Sequence, residues 1–381
     1  MIIKNANIVT LNDTFIGSID FNETILNIDK GNLNNSNAID FEGDYLLPGF
    51  IELHTDNLEK HFIPRPNAIW PNKIAAAIAN DNEIISSGIT TVFDAILVGN
   101  YTKIRTSILD DIITSITRGK DLGLFKADHH LHYRCELSDP ELLETLEKYY
   151  DNKYIALASL MDHTPGQRQW RNKEKMLEFY GKGSNFTSHG AYDFDEKMLR
   201  LEETAKEAEK KNRPKVSTIW REKKIIMASH DDTTEEHVNE ASKNGIYISE
   251  FPTTLEAVKQ AKKLKMKTVL GAPNFIRNKS HSDNVSVNDL VDNNFDLVDI
   301  FSSDYVPLSL IQSVFKLLHK GVNLSESTKL VSYNPANSVG LDDRGHIEIN
   351  KRSDFLRVAF VENTPLIKEV YILSLIHISE P

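Results

Sequence analysis

Eight short apolar runs alternate with amphipathic stretches between residues 50 and 335, and nothing else limits the folds open to this chain so strongly. The runs cover 50–54, 89–95, 123–132, 154–161, 225–229, 246–250, 268–271 and 297–303. Helical patterns lie between them at 73–87, 101–120, 140–149, 234–244, 254–264 and 308–320. Alternation of this kind signals βα units and a parallel sheet. Eight such units predict an α/β fold of the (β/α)₈ TIM-barrel type. A doubly wound sheet is the alternative, but it offers no reason for one set of residue types to recur at strand ends.

That recurrence is the functional signal. His54 and Asp56 close the first run, His163 follows the fourth, His230 the fifth and Asp304 the eighth. A parallel barrel gathers the C-terminal ends of its strands on one face, where its chemistry is done. Imidazoles and carboxylates collected there can bind divalent metal, which activates water and holds the oxyanions formed. His54 and Asp56 are two residues apart, so they project the same way if the strand continues. Thr233-Thr-Glu-Glu after His230 has the composition of a helix start. The other readings are a substrate contact at His163, a surface glutamate at Glu136 and a helix cap at Asp304. His237, inside the helix that follows His230, reads as a packing residue. His129, His130 and His132 crowd the third run, but neighbours on a strand alternate faces and cannot all enter the site. His132 fits best, sharing parity with Glu136.

The ends of the chain read differently. Residues 2–10, 15–21 and 24–29 are short, partly alternating strands, and 346–349, 354–360 and 367–372 are strands again. They predict a small β-sandwich module assembled from residues 1–49 and 336–372, flanking a barrel over 50–335. Residues 373–381 read as a non-native tail, so His377 is left out of the site. A strongly charged helix at about 195–211 reads as a solvated face.

Composition narrows the function class. A net charge of −11 argues against a general nucleic-acid binder. No apolar stretch reaches the roughly 18–20 residues of a membrane span, and the N-terminus lacks the pattern of a secretory signal. Cys135 is the only cysteine, which excludes intramolecular disulfides and suits a reducing cytoplasm. A homo-oligomer is compatible with all of this.

The opening Leu47-Pro48-Gly49-Phe50-Ile51-Glu52-Leu53-His54 resembles that of the amidohydrolase superfamily. Its continuation to His61, with Pro64-Arg65-Pro66, is similar to one branch, the hydrolases of the carbon–phosphorus lyase pathway. The stretches 88–94, 132–136, 162–167, 229–232, 250–254, 271–274 and 302–307 extend the likeness from about residue 2 to 372. The resemblance implies a metal-binding barrel with a β-sandwich built from both ends. It also implies cleavage of α-D-ribose 1-methylphosphonate 5-triphosphate to the 5-monophosphate and pyrophosphate. The ligand set would be His54, Asp56, Glu136, His163 and His230 on two divalent metal ions. Zinc is the expected metal, and iron or manganese would also suit such donors. Asp304 would move the proton of the attacking water. One departure stands out: many members carry a histidine on the sixth strand, where this chain has Ile248-Ser-Glu250. Either Glu250 substitutes or the second metal is held differently.

A triphosphate needs cations, and Lys60, Arg65, Arg134, Arg168, Arg277 and His281 all follow strand ends. No Gly-x4-Gly-Lys-Ser/Thr loop is present, so side chains, metals and helix ends must hold the phosphates. Two rivals remain open at this point. One is hydrolysis of a cyclic amide or nucleobase C–N bond, and the other is an inactive barrel serving as a scaffold.

Overall fold

The computed structural model describes the chain apart from residues 32–33, 66–67, 100–102, 165, 169–193, 279–283 and 379–381. The barrel strands are Phe50–Thr55, Ile89–Val98, Asp128–Glu136, Ile155–Met161, Ile226–His230, Ile248–Glu250, Lys267–Gly271 and Ile300–Ser302. They pair in chain order, every neighbour parallel. Helices cross between them, including Lys73–Ser86, Lys103–Asp121, Phe194–Glu222, Glu235–Lys243, Leu255–Lys263 and Ser309–His319. Ile51, Leu53, Phe93, Leu157, Ala228, Ile248, Val269 and Ile300 form one apolar plug, drawn from every barrel strand except the third. A parallel sheet with both faces covered explains why these runs are apolar rather than alternating.

Between the eighth strand and the first the ladder reduces to a single bridge, Thr55 to Asp304. There Asp56 N–H and Thr55 Oγ1 both donate to the Asp304 carbonyl at 2.9 Å. Glu52 reinforces this seam: its carboxylate accepts from His54 N–H (2.6 Å), Ser302 Oγ (2.8 Å) and Ser303 N–H (2.6 Å). The seam thus fixes the first and eighth strand ends against each other, and with them His54 and Asp304.

The terminal module is one hydrogen-bonded sheet contributed by both ends of the chain. Tyr45–Pro48 pairs parallel with Ile2–Val9 and antiparallel with Phe355–Val361. Phe21 and Phe355 lie on strands separated by two others, yet their rings meet edge-on at 5.2 Å. At about 4.8 Å per strand that contact requires the sheet to fold over on itself, as in a sandwich. Phe21, Phe41, Phe355 and Tyr371 fill the fold. Residues 346–349 form no strand, although Ile347 is buried in this core. Gly345, at φ +84°, turns the chain there. Leu375–Ile378, within the stretch read as a tail, pairs antiparallel with Thr364–Ile372.

The third barrel strand begins five residues later than the sequence suggests. Gly123, at φ +63°, ends the preceding helix, and Leu124 N–H returns to the Gly119 carbonyl. The apolar residues Leu124 and Phe125 therefore belong to a helix end. The strand runs on to Glu136, which is its last residue rather than a loop residue.

Candidate metal centre and active site

Each donor-bearing side chain sits at the C-terminal end of a strand. His54 is the penultimate residue of the first strand, His230 ends the fifth and Glu250 ends the sixth. His54, His230 and Glu250 each offer a ligand atom, all within 4.8 Å of one another, and His163, His230 and Asp231 form a second such group. His230 belongs to both. Imidazole centroids lie 5.3 Å apart for His54 and His230 and 5.8 Å apart for His163 and His230.

These atoms fit a cation. His54 Nδ1, both His230 nitrogens, Asp231 Oδ2 and Glu250 Oε1 are buried and make no hydrogen bond among the described residues. Proximity without alignment is the pattern: His230 Nδ1 is 2.9 Å from Asp231 Oδ2, and His54 Nδ1 is 3.2 Å from Glu250 Oε2. Buried polar groups ordinarily find partners. Converging imidazole nitrogens and carboxylate oxygens that do not bond each other match the donor set of a divalent metal such as zinc. Asp231, Phe251 and Asp304 carry φ of +55°, +52° and +52°. Left-handed backbone at three non-glycine residues just past strand ends is strain of the kind that collects at functional sites.

The other residues expected from the sequence take distinct places. Asp56 lies just beyond its strand, with Oδ1 3.8 Å from His54 Nε2 and paired with Arg134 Nη1. Glu136 grips His163 through Oε2 to Nδ1 at 2.6 Å and through Oε1, which accepts from His163 N–H at 3.1 Å. Burial would lower the His163 pKa, but Glu136 and Asp231 outweigh it and raise it to about 10. Burial raises the Asp304 carboxyl and the Asp56 charge raises it further, against Arg134. Lys60 donates to Glu83 at 2.8 Å on the protein surface, and Arg65 is exposed. Arg168 is buried, with Nη1 donating to the His230 carbonyl and to Asp232, both at 3.0 Å. Arg277 donates to Tyr305 Oη at 3.0 Å. His281 lies outside the described residues.

Two residues joined to this site were not assigned from the sequence. Asp231 was visible as the acid following His230, and its left-handed turn brings it back onto that imidazole. Glu52 had a clearer signal: a carboxylate inside an otherwise apolar, fully buried strand needs partners, and it finds them across the seam. Burial pushes its pKa up to about 7 in spite of those hydrogen bonds.

Comparison with known proteins agrees with this architecture. The model of the Amidohydrolase family matches residues 45–374. The chain belongs to this family. It is 40% identical over 362 residues to the alpha-D-ribose 1-methylphosphonate 5-triphosphate diphosphatase of Escherichia coli (strain K12), covering 93% of this chain and 94% of that protein. Other amidohydrolase-type barrels share its shape. A 5-methylcytosine deaminase from Klebsiella pneumoniae superposes with a TM-score of 0.67 at 12% identity, covering 100% of this chain and 98% of that one. An N-acetylglucosamine-6-phosphate deacetylase from Pasteurella multocida gives a TM-score of 0.61 at 13% identity over 99% of both chains. At such identities the two structures speak for the fold of this amidohydrolase and not for its substrate.

Proposed function

We propose that this amidohydrolase cleaves α-D-ribose 1-methylphosphonate 5-triphosphate to the 5-phosphate and pyrophosphate. The 40% identity over nearly the whole chain to a diphosphatase with that substrate carries the reading.

Two divalent cations, zinc foremost, would be held by His54, His230 and Glu250 and by His163, His230 and Asp231. Asp56 beside His54 and Glu136 behind His163 complete the donor set. When bound, such cations supply Lewis acidity to a phosphoryl oxygen and to the attacking water. Asp304 handles the proton. Its carboxylate accepts a proton as water attacks and returns it as the pyrophosphate oxygen leaves, so water and triphosphate balance monophosphate and pyrophosphate. Arg134 flanks the same acids, and Lys60 and Arg65 follow the first strand, where fork-like and point-charge donors can meet phosphate oxygens. His281, in the segment after the seventh strand, joins this substrate-binding set. Arg168 serves chiefly to hold the loop after His163 against the fifth strand end. The single, buried Cys135 suits a reducing, cytoplasmic setting. Among the described residues no helix is long and apolar enough to cross a membrane.

The test is product analysis with zinc-loaded protein. Pyrophosphate and the ribose 5-phosphate should appear in equal amounts from the triphosphate. Turnover of a cyclic amide, with no pyrophosphate from the triphosphate, would refute the proposal.

A further inference from the structure

Beneath the sixth-strand carboxylate lies a buried arrangement that the reaction itself does not use. Ser159 Oγ, on the fourth strand, donates to Glu250 Oε2 at 2.5 Å, and the same hydroxyl is hydrogen-bonded to His132 Nε2 from the third strand. On its other side His132 Nδ1 is 2.8 Å from the Leu53 carbonyl. A carbonyl only accepts, so Nδ1 carries a hydrogen. The Ser159 hydroxyl gives its one hydrogen to Glu250 and can only accept from Nε2, so the whole chain of bonds is made when both His132 nitrogens carry a hydrogen. The His132 ring meets His54 edge-on at 5.1 Å. His132, Ser159 and Glu250 are all fully buried, so none of the three is open to solvent as a nucleophile or a surface base. The result is asymmetric: Glu250 Oε2, tied to Ser159, lies 3.2 Å from His54 Nδ1, while Oε1 makes no hydrogen bond among the described residues and lies 3.8 Å from His132 Nε2.

We propose that His132 and Ser159 are positioning residues that brace Glu250, so that a carboxylate on the sixth strand serves as a metal donor of preset orientation. The proposal rests on the metal-centre reading above. A carboxylate can rotate and offer either oxygen, whereas an imidazole in the same place would present one nitrogen with fixed geometry. The Ser159 hydroxyl removes that freedom. His132 then anchors the hydroxyl to the backbone of the strand that carries His54, so the two donors are held through one chain of contacts. Partners that orient ligands in this way are worth about 10- to 100-fold in metal affinity.

Zinc alone is the probe. Zinc content and affinity are measured by chelator competition on wild type, Ser159→Ala, Ser159→Thr, His132→Asn and Glu250→Gln, with the thermal stability of each metal-stripped protein measured in parallel. Asparagine is chosen because its amide can still donate to the Leu53 carbonyl but cannot reach Ser159. The expected result is a 10- to 100-fold loss of zinc affinity in Ser159→Ala and His132→Asn, with recovery in Ser159→Thr, which keeps the hydroxyl. Weakened zinc binding in Glu250→Gln, with wild-type affinity in Ser159→Ala and His132→Asn, overturns the brace and leaves the metal reading standing. A drop in metal-free stability without a change in zinc affinity overturns it as well, because the pair would then be structural only. Wild-type zinc binding in every variant, Glu250→Gln included, overturns both.

Discussion

Asp304 meets two requirements at once, since its carbonyl closes the barrel seam and its carboxyl faces the acidic site. The backbone there is left-handed, a conformation that asparagine tolerates well. Asp304→Asn therefore separates proton handling from architecture. Turnover should fall by roughly 10²–10⁴-fold while zinc content stays near that of wild type. Wild-type rates would reduce Asp304 to a closure residue. Arg168 calls for the opposite experiment. Removing it strands the buried Asp232 carboxylate, which among the described residues then keeps the Ser229 and Ser249 hydroxyls. Breaking a buried pair in this way costs about 3–5 kcal/mol, so Arg168→Ala should lower the urea midpoint. Unchanged stability with a raised KM would make Arg168 a phosphate clamp after all. These two residues mark the boundary of what local sequence reveals. His54, His163 and His230 were legible because an ionisable residue that ends an apolar run is seldom there for packing alone. Partners were not legible. Nothing in the local sequence around Arg168 reveals a carboxylate 64 residues away, and nothing around Lys60 reveals Glu83.

Among the elements, the order of strands was legible because strands buried on both faces must be apolar throughout. Their limits were less so: apolar residues at 124 and 125 serve a helix end as well as a strand, and only the left-handed turn at Gly123 separates the two. The third strand also carries a polar knot that its sequence disguises as part of a histidine cluster. His129 Nδ1 is 2.7 Å from Asp94 on the second strand, and Nε2 is 3.2 Å from Asp81 on the helix Lys73–Ser86. Burial alone would lower its pKa, but Asp94 and Asp81 outweigh burial and raise it from 6.5 to about 9. The charged form is thus favoured by folding. Its stabilisation is complete below pH 6.5 and is lost as pH rises through about 9. Urea unfolding of metal-stripped wild type and His129→Gln should therefore diverge most at about pH 6 and converge by about pH 10. A gap between the two that stays constant across this range would mean that His129 is neutral in the folded protein.

For the molecule as a whole, the donors span the barrel mouth. His54 comes from the first strand, next to the single-bridge seam, while His163, His230, Asp231 and Glu250 come from the ends of the fourth, fifth and sixth strands on the other side of the mouth. A cation shared by these groups ties the first strand across the barrel opening to strands it does not pair with. The unfolded chain cannot hold the donors in that arrangement, so binding is linked to folding. Each bound cation should raise the unfolding free energy by about 2.7 kcal/mol with free zinc at 100 times that site's dissociation constant, and by about 4.1 kcal/mol at 1,000 times. Excess chelator should return the protein to its metal-free stability. His230→Ala should make stability nearly independent of zinc, because that imidazole belongs to both donor groups. Glu52→Ala should lower stability with and without zinc alike, because the seam clip acts through hydrogen bonds to strand ends rather than through the ion. If zinc leaves the unfolding of wild type unchanged, these side chains do not form a metal centre, and the barrel mouth is held by the Glu52 seam and the backbone ladder alone.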